Sequence, residues 1–192
     1  KNIQKRHNVK IDIEQIPLDD TKTYELYQRG ETIGTFQFES AGMRKYLHEL
    51  KPTDIEDLIA MNALFRPGPI DFIPNFINRK HGRERVEYPH KLLEPILKNT
   101  YGIMVYQEQI MQIFRDLGGF SLGEADLVRR AIGKKDRDKM DQAAAKFRLG
   151  CQERGLPPEV PDKIVGWLGP FANYSFNKSH AGAYALIAYW TA

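Results

Sequence analysis

The sequence predicts a mainly α, multi-helical domain with one or two short β-strands. Three observations carry that expectation. Apolar residues recur at helical spacing through most of the chain, as in Ile110, Ile113, Phe114 and Leu117. Helix-opening residues and Gly or Pro stops punctuate these runs. Only two short stretches read as strands: residues 35–38, with Phe36 and Phe38 at period two, and residues 102–106.

The elements follow in order. Asp19 or Asp20 caps a helix that runs to Gln28 and Arg29 and stops at Gly30. After the first strand candidate, Ser40 caps a helix ending near Leu50, ahead of Pro52. Thr53-Asp54-Ile55-Glu56 reads as a capping box opening a helix with Ile55, Leu58, Ile59 and Leu64. Arg66-Pro67-Gly68-Pro69 ends it, because proline lacks a donor and disfavours helix in the residue before it. A helix with Phe72, Phe76 and Ile77 runs into the basic turn Arg79-Lys80-His81-Gly82-Arg83. The second strand candidate feeds an amphipathic helix that Gly118-Gly119 stops. Ser121-Leu122-Gly123-Glu124 is another capping box, opening a helix that ends in Arg129-Arg130-Ala131-Ile132-Gly133-Lys134-Lys135. Gly133 is expected to let the backbone leave that helix. A long polar helix from Asp136 to Arg154 follows, then a helix with Ile164, Val165 and Trp167, and Ser175-Phe176-Asn177-Lys178-Ser179-His180 before an apolar terminal helix.

Composition narrows the class. The 192 residues suit one domain or two small ones, and 42% hydrophobic with 28% charged residues is an ordinary globular balance. Twenty-eight Lys and Arg against 25 Asp and Glu leave a net charge of +3, so a nucleic-acid case must rest on where the charge sits. The lone Cys151 excludes an internal disulfide framework and a cysteine-rich zinc site, and fits a reducing compartment. No run approaches the roughly 18 apolar residues of a membrane span, and Lys1-Asn2-Ile3-Gln4-Lys5-Arg6 lacks a signal-peptide stretch. Secreted, membrane-spanning and disordered classes are excluded on this reading. The first residue is not Met and the terminal helical pattern has no closing cap, which predicts a piece of a longer protein.

Three basic clusters could carry chemistry. Arg129, Arg130, Lys134, Lys135 and Arg137 surround a single acid, Asp136. They read either as a solvated helix end or as an anion site, because paired guanidinium forks suit phosphate oxygens. Asn177, Lys178, Ser179 and His180 open the terminal helix. They read either as a plain cap or as an anion site where free N–H groups meet side-chain donors. Arg79, Lys80 and His81 read either as an exposed turn or as a nucleic-acid backbone contact. Tyr106 is a core residue or a base-stacking one. Glu124 and Asp126, near a helix start, are read as capping and dipole residues. The five histidines show no metal spacing, and no phosphate-cradling glycine loop or nucleophile elbow occurs. Neither a catalytic residue nor a metal ligand is expected in the chain.

Taken together, Phe65-Arg66-Pro67-Gly68-Pro69, Asn78-Arg79-Lys80-His81-Gly82, the stretch Thr100-Tyr101-Gly102-Ile103-Met104-Val105-Tyr106-Gln107-Glu108-Gln109, the Arg129 to Lys135 segment and Phe176-Asn177-Lys178-Ser179-His180-Ala181 resemble a known family. It is that of the bacterial DNA polymerase III alpha subunits, the family C replicative polymerases. The resemblance runs from about Ile11 to the C-terminus. It implies a fingers region over residues 19–192, truncated at its C-terminal end and led into by a linker, residues 1–18, from an absent palm. It implies that Arg129, Arg130, Lys134, Lys178, Ser179 and His180 face the triphosphate of an incoming deoxynucleotide. Arg66, Arg79, Lys80, His81, Tyr106, Lys135 and Asn177 are implied as supporting or DNA contacts. Two magnesium ions would be held by the palm, and Asp12, Asp19 and Asp20 do not sit in the catalytic carboxylate motif. The implied partners are template–primer DNA, dNTP, the palm and other replicase subunits including the sliding clamp, in a bacterial cytoplasm. A non-catalytic helical module that binds nucleic acid or a partner is the alternative, as is the fingers of a lesion-tolerant paralogue.

Overall fold

The computed structural model describes residues 2–192, so Lys1, the first residue of the expected linker, lies outside them. The described residues are mainly helical and fall into two compact units. One holds the chain up to Leu58 together with Ala183–Ala192, and the other holds Ile59–Gly182. Both boundaries fall inside helices: α4 (Ile55–Leu64) and α11 (Lys178–Thr191).

The first unit contains α1 (Asn2–His7), a 3-10 turn at Ile13–Gln15 capped by Asp12, α2 (Thr21–Arg29) and α3 (Ala41–Leu50). Asp20, of the two candidate aspartates, caps α2: its carboxylate accepts from the Thr23 N–H at 2.8 Å. Gly30 closes α2 in the left-handed region at φ 65°. Ser40 caps α3. The unit's core is Tyr24, Tyr27, Phe38, Met43, Leu47 and Leu50. Tyr189 locks into it, accepting from the Asp20 N–H at 2.9 Å and donating to the Pro17 carbonyl at 3.1 Å.

Residues 35–38 are not a strand. Thr32 Oγ1 donates to the Phe38 carbonyl at 2.6 Å, Thr35 Oγ1 donates to the Thr32 carbonyl at 2.7 Å, and Gln37 takes φ 66°. The threonines use the backbone locally, so the period-two aromatics mark a tight turn. The opening of α4 also differs by one position from the expected box. Asp54 accepts from the Asp57 N–H at 3.1 Å, and the buried Asp57 carboxylate accepts from the Thr53 N–H at 2.9 Å.

The second unit contains α5 (Ile73–Lys80), α6 (Glu94–Leu97), α7 (Gln107–Asp116), α8 (Leu122–Lys134), α9 (Arg137–Glu153) and α10 (Glu159–Tyr174), with three 3-10 turns before α7. α7 packs on α8, α8 on α9, and α9 on α10. Their shared core runs through Ile110, Ile113, Phe114, Val128, Ile132, Phe147, Ile164, Leu168 and Phe171. Phe114 stacks on Phe147 at 4.4 Å between ring centroids.

The approach of α9 to the end of α7 depends on two glycines. A Cβ at Gly150 would overlap the Gly118 carbonyl, and one at Gly118 would overlap the Phe147 ring. The apolar face of α9 can therefore reach α7 only while both positions lack side chains. Gly150→Ala should destabilise the chain by about 1–3 kcal/mol, the usual cost of overpacking a core. Denaturant unfolding checks this, and a midpoint equal to that of the unsubstituted chain contradicts it.

Candidate functional site

The basic helix α8 is fixed at its start by a true capping box. Ser121 Oγ accepts from the Glu124 N–H at 3.3 Å, and Glu124 accepts from the Ser121 N–H at 2.9 Å. Glu124 also ion-pairs with Lys146 of α9. The Lys146 bond, and after it the Ser121 bonds, hold the Glu124 carboxyl down at about 2. Ala125, Val128, Ala131 and Ile132 form the buried face, which leaves Asp126, Arg129, Arg130 and Lys134 on other faces. The helix does not end at Gly133. It continues to Lys134, and Lys135 takes the left-handed turn at φ 54°, its N–H donating to the Ile132 carbonyl at 3.0 Å. Asp136 then caps α9 and ion-pairs with Lys139 at 2.8 Å.

Arg129 and Arg130 converge on one carboxylate. Arg129 Nε donates to Asp126 Oδ1 at 2.8 Å and Arg129 Nη2 lies 2.7 Å from the same oxygen. Arg130 Nε donates to Asp126 Oδ2 at 2.7 Å. These bonds to the two guanidinium groups hold the Asp126 carboxyl below the ordinary aspartate range. The Arg130 side chain remains 64% exposed and that of Arg129 32%. Asp126 is therefore not a cap: the partners of its carboxylate are the two arginines. The signal for it was present as Asp followed by Arg at i+3 and again at i+4.

The opening of α11 is built by long-range contacts. The second strand candidate contracts to a single parallel bridge, Tyr106 with Phe176. Gln107 N–H donates to the Phe176 carbonyl at 2.8 Å and Phe176 N–H to the Val105 carbonyl at 3.2 Å. The chain enters α7 at Gln107 and enters α11 at Lys178, so neither side extends into a ladder. Buried Gln109 fastens this joint. Its Oε1 accepts from the Val105 and Tyr106 N–H groups at 2.8 and 2.9 Å, and its Nε2 donates to Thr100 Oγ1 at 2.8 Å.

Glu108 of α7 then occupies the start of α11. It accepts from Asn177 Nδ2 at 2.7 Å and from the Lys178 N–H at 2.9 Å, while Asn177 Oδ1 accepts from the His180 N–H at 2.8 Å. The expectation of free N–H groups at this terminus is thus corrected: a carboxylate of the protein already fills part of the positive helix end. The side chains of Lys178, Ser179 and His180 are further donors for an anion. Lys178 Nζ sits 5.5 Å from the centroid of the buried Tyr106 ring, and the His180 ring lies 5.4 Å from that of Phe176. Ser179 is exposed beside them. Neither Glu108 nor Gln109 was legible as a site residue, and the Glu108 partners lie 69 and 70 positions away.

The remaining candidates are framework residues to a large degree. Arg66 donates to the Ala63 and Tyr174 carbonyls at 2.8 and 2.7 Å and stacks 4.1 Å over the Phe176 ring. Burial lowers its guanidinium from the ordinary value. Arg79 donates to Glu84 at 2.7 Å and to the Tyr101 carbonyl at 3.0 Å, tying the basic turn to the left-handed residue Tyr101. Lys80 and His81 are half-buried at the end of α5. Tyr106 is buried. A groove of about 530 Å³ between α8 and α9 is lined by Arg130, Lys134, Lys139 and Lys146 above Phe120 and Leu127. Among the described residues no group of three His, Cys, Asp or Glu is placed to hold a metal ion, and no helix is long and apolar enough to cross a membrane.

Comparison with known proteins places this architecture. Residues 1–155 match the family model described as the bacterial DNA polymerase III alpha subunit finger domain. The chain is 52% identical to DNA polymerase III subunit alpha of Thermus aquaticus over 99% of its length, covering 16% of that protein. It is 50% identical to the subunit of Bacillus subtilis over 96% of its length, covering 17% of that relative. The subunit of Chlamydia muridarum is also 50% identical, over 100% of this chain and 16% of the relative. The chain belongs to the finger-domain family of bacterial DNA polymerase III alpha subunits. It spans about one-sixth of the length of the curated relatives it matches.

The grip on α8 is pH-dependent. The Glu124 carboxyl is depressed in the folded chain, so its contribution to stability is present above its ordinary value of 4.5 and is lost as pH falls toward about 2. The stability difference between the chain and Glu124→Gln should be full at neutral pH and shrink across that window. Urea unfolding at a series of pH values checks this, and a difference constant down to pH ~2 contradicts it.

Proposed function

We propose that this fingers segment binds the triphosphate of the incoming deoxynucleotide and helps to position template–primer DNA for template-directed nucleotidyl transfer. In the parent polymerase the primer 3′ hydroxyl attacks the α-phosphate and pyrophosphate leaves. The palm, outside this chain, would hold the two magnesium ions that activate the hydroxyl and neutralise the leaving oxygens. The fingers residues meet the β- and γ-phosphates. Arg129 and Arg130 would bind phosphate oxygens through their forks, with Lys134 adding to the field, while Lys178, Ser179 and His180 would donate from the start of α11. Lys135 and Asn177 support these two groups. Arg66, Arg79 and Tyr106 act mainly by holding the backbone, with Lys80 and His81 toward the DNA. Residues 1–18 lead in from the palm and residues 19–192 form the fingers. The chain alone would not polymerise. The sliding clamp and other replicase subunits would engage regions outside it, in the bacterial cytoplasm.

The observation that supports this reading is the Glu108 link between α7 and the opening of α11, with α7 packed on the arginine-bearing α8. α7 and α8 pack together and are joined by the five-residue turn 117–121, so the start of α7 and the end of α8 share an end of the αα-hairpin. Glu108 at the start of α7 fastens Asn177 and Lys178. The end of α8 carries Arg129, Arg130 and Lys134. Two anion-seeking groups linked through one packed helix pair suit a polyanion such as a triphosphate.

Arg130→Ala in the parent polymerase should lower kcat/KM for dNTP roughly 30- to 1,000-fold, or about 2–4 kcal/mol of transition-state stabilisation. Steady-state incorporation checks this. An unchanged efficiency contradicts it. Duplex binding by the chain that falls steeply with salt, with no preference for triphosphate, would favour a nucleic-acid-binding module instead.

A further inference from the structure

We infer that Asp126 is a positioning residue of the nucleotide site, gripping both arginines through Nε so that the terminal nitrogens it leaves, both of Arg130 and Nη1 of Arg129, are aimed at the triphosphate. The inference rests on the reading of Arg129 and Arg130 proposed above. Its basis is which nitrogens Asp126 takes. It holds Arg130 by Nε alone, leaving both terminal nitrogens of that fork to a ligand. It holds Arg129 by Nε and Nη2, leaving Nη1.

Successive helical positions diverge by about 100°, and two like charges side by side repel. Unheld, these long side chains sample many rotamers and tend apart. A carboxylate three and four positions earlier lies between their directions and cancels part of the repulsion. The freedom they would lose on meeting a phosphate is then already lost in the free protein. The Asp126 side chain is 29% exposed, close to the 32% of Arg129 and well below the 64% of Arg130. The cost is one negative charge near a polyanion. A role limited to the electrostatic field and a role in positioning therefore predict opposite results when that charge is removed.

The test is single-turnover incorporation by the parent polymerase over a range of dNTP concentrations. The variants are Asp126→Ala, Asp126→Asn and Asp126→Glu, the double variant Arg129→Ala with Arg130→Ala, and that double variant combined with Asp126→Ala. Positioning predicts that Asp126→Ala and Asp126→Asn lower kcat/KM for dNTP about 10- to 100-fold, as small misplacements of catalytic groups do. It also predicts that Asp126→Glu recovers most of the loss, and that removing Asp126 has no further effect once both arginines are gone. Unchanged or improved dNTP use by Asp126→Asn overturns the inference. So does a loss that persists without the arginines, which marks a general effect on the fold. If the double arginine variant is itself unimpaired, the nucleotide reading fails. If it is impaired while Asp126→Ala is not, the positioning role alone fails.

Discussion

Holding positive charges close together on one helix is the constraint on which the candidate site depends. The end of α8 and the facing part of α9 carry several cations, and some of them are met by carboxylates of the protein. Asp126 joins Arg129 and Arg130, Asp136 pairs with Lys139, and Glu124 pairs with Lys146 across to α9. None of these exposed pairs need contribute much to global stability, because solvent screens them. Their effect is conformational: they fix where each paired cation stands.

The apolar framework makes that placement rigid. Phe114, Phe147 and Ile132 share the core that unites α7, α8 and α9, and the glycine contact between positions 118 and 150 sets how closely those helices approach. Gln109 pins residues 105 and 106, the bridge to Phe176 aligns the next crossing, and Arg66 ties Phe176 to the Tyr174 carbonyl. Gln109 closes a local turn, while the Tyr106–Phe176 bridge and Arg66 join distant parts of the chain, each through buried or half-buried hydrogen-bonding groups. Such groups define one arrangement, because any other would leave them unpaired.

Much of this was legible from local pattern. The α8 capping box, the Gly30 stop and the long helix opened by Asp136 depend on residues within a turn of one another, and all stand where the spacing put them. The failures have two causes. At residues 35–38, threonine hydroxyls outcompeted a ladder for the backbone, and at Gly133 helical bonding ran on until Lys135 accepted a left-handed turn. The site residues that escaped notice, Glu108 and Gln109, act on backbone groups whose position only the fold determines. Asp126 is the exception, since its spacing to both arginines is local and was misread as a cap.

The proposed function comes to one claim, that α8 and the opening of α11 serve the same phosphate chain. The structure of the parent polymerase with template, primer and incoming nucleotide tests it most directly. The expected result has the β- and γ-phosphate oxygens within about 3 Å of the Arg129 and Arg130 forks and of at least one of Lys178, Ser179 and His180. A triphosphate bound with either group turned away from it would contradict the account.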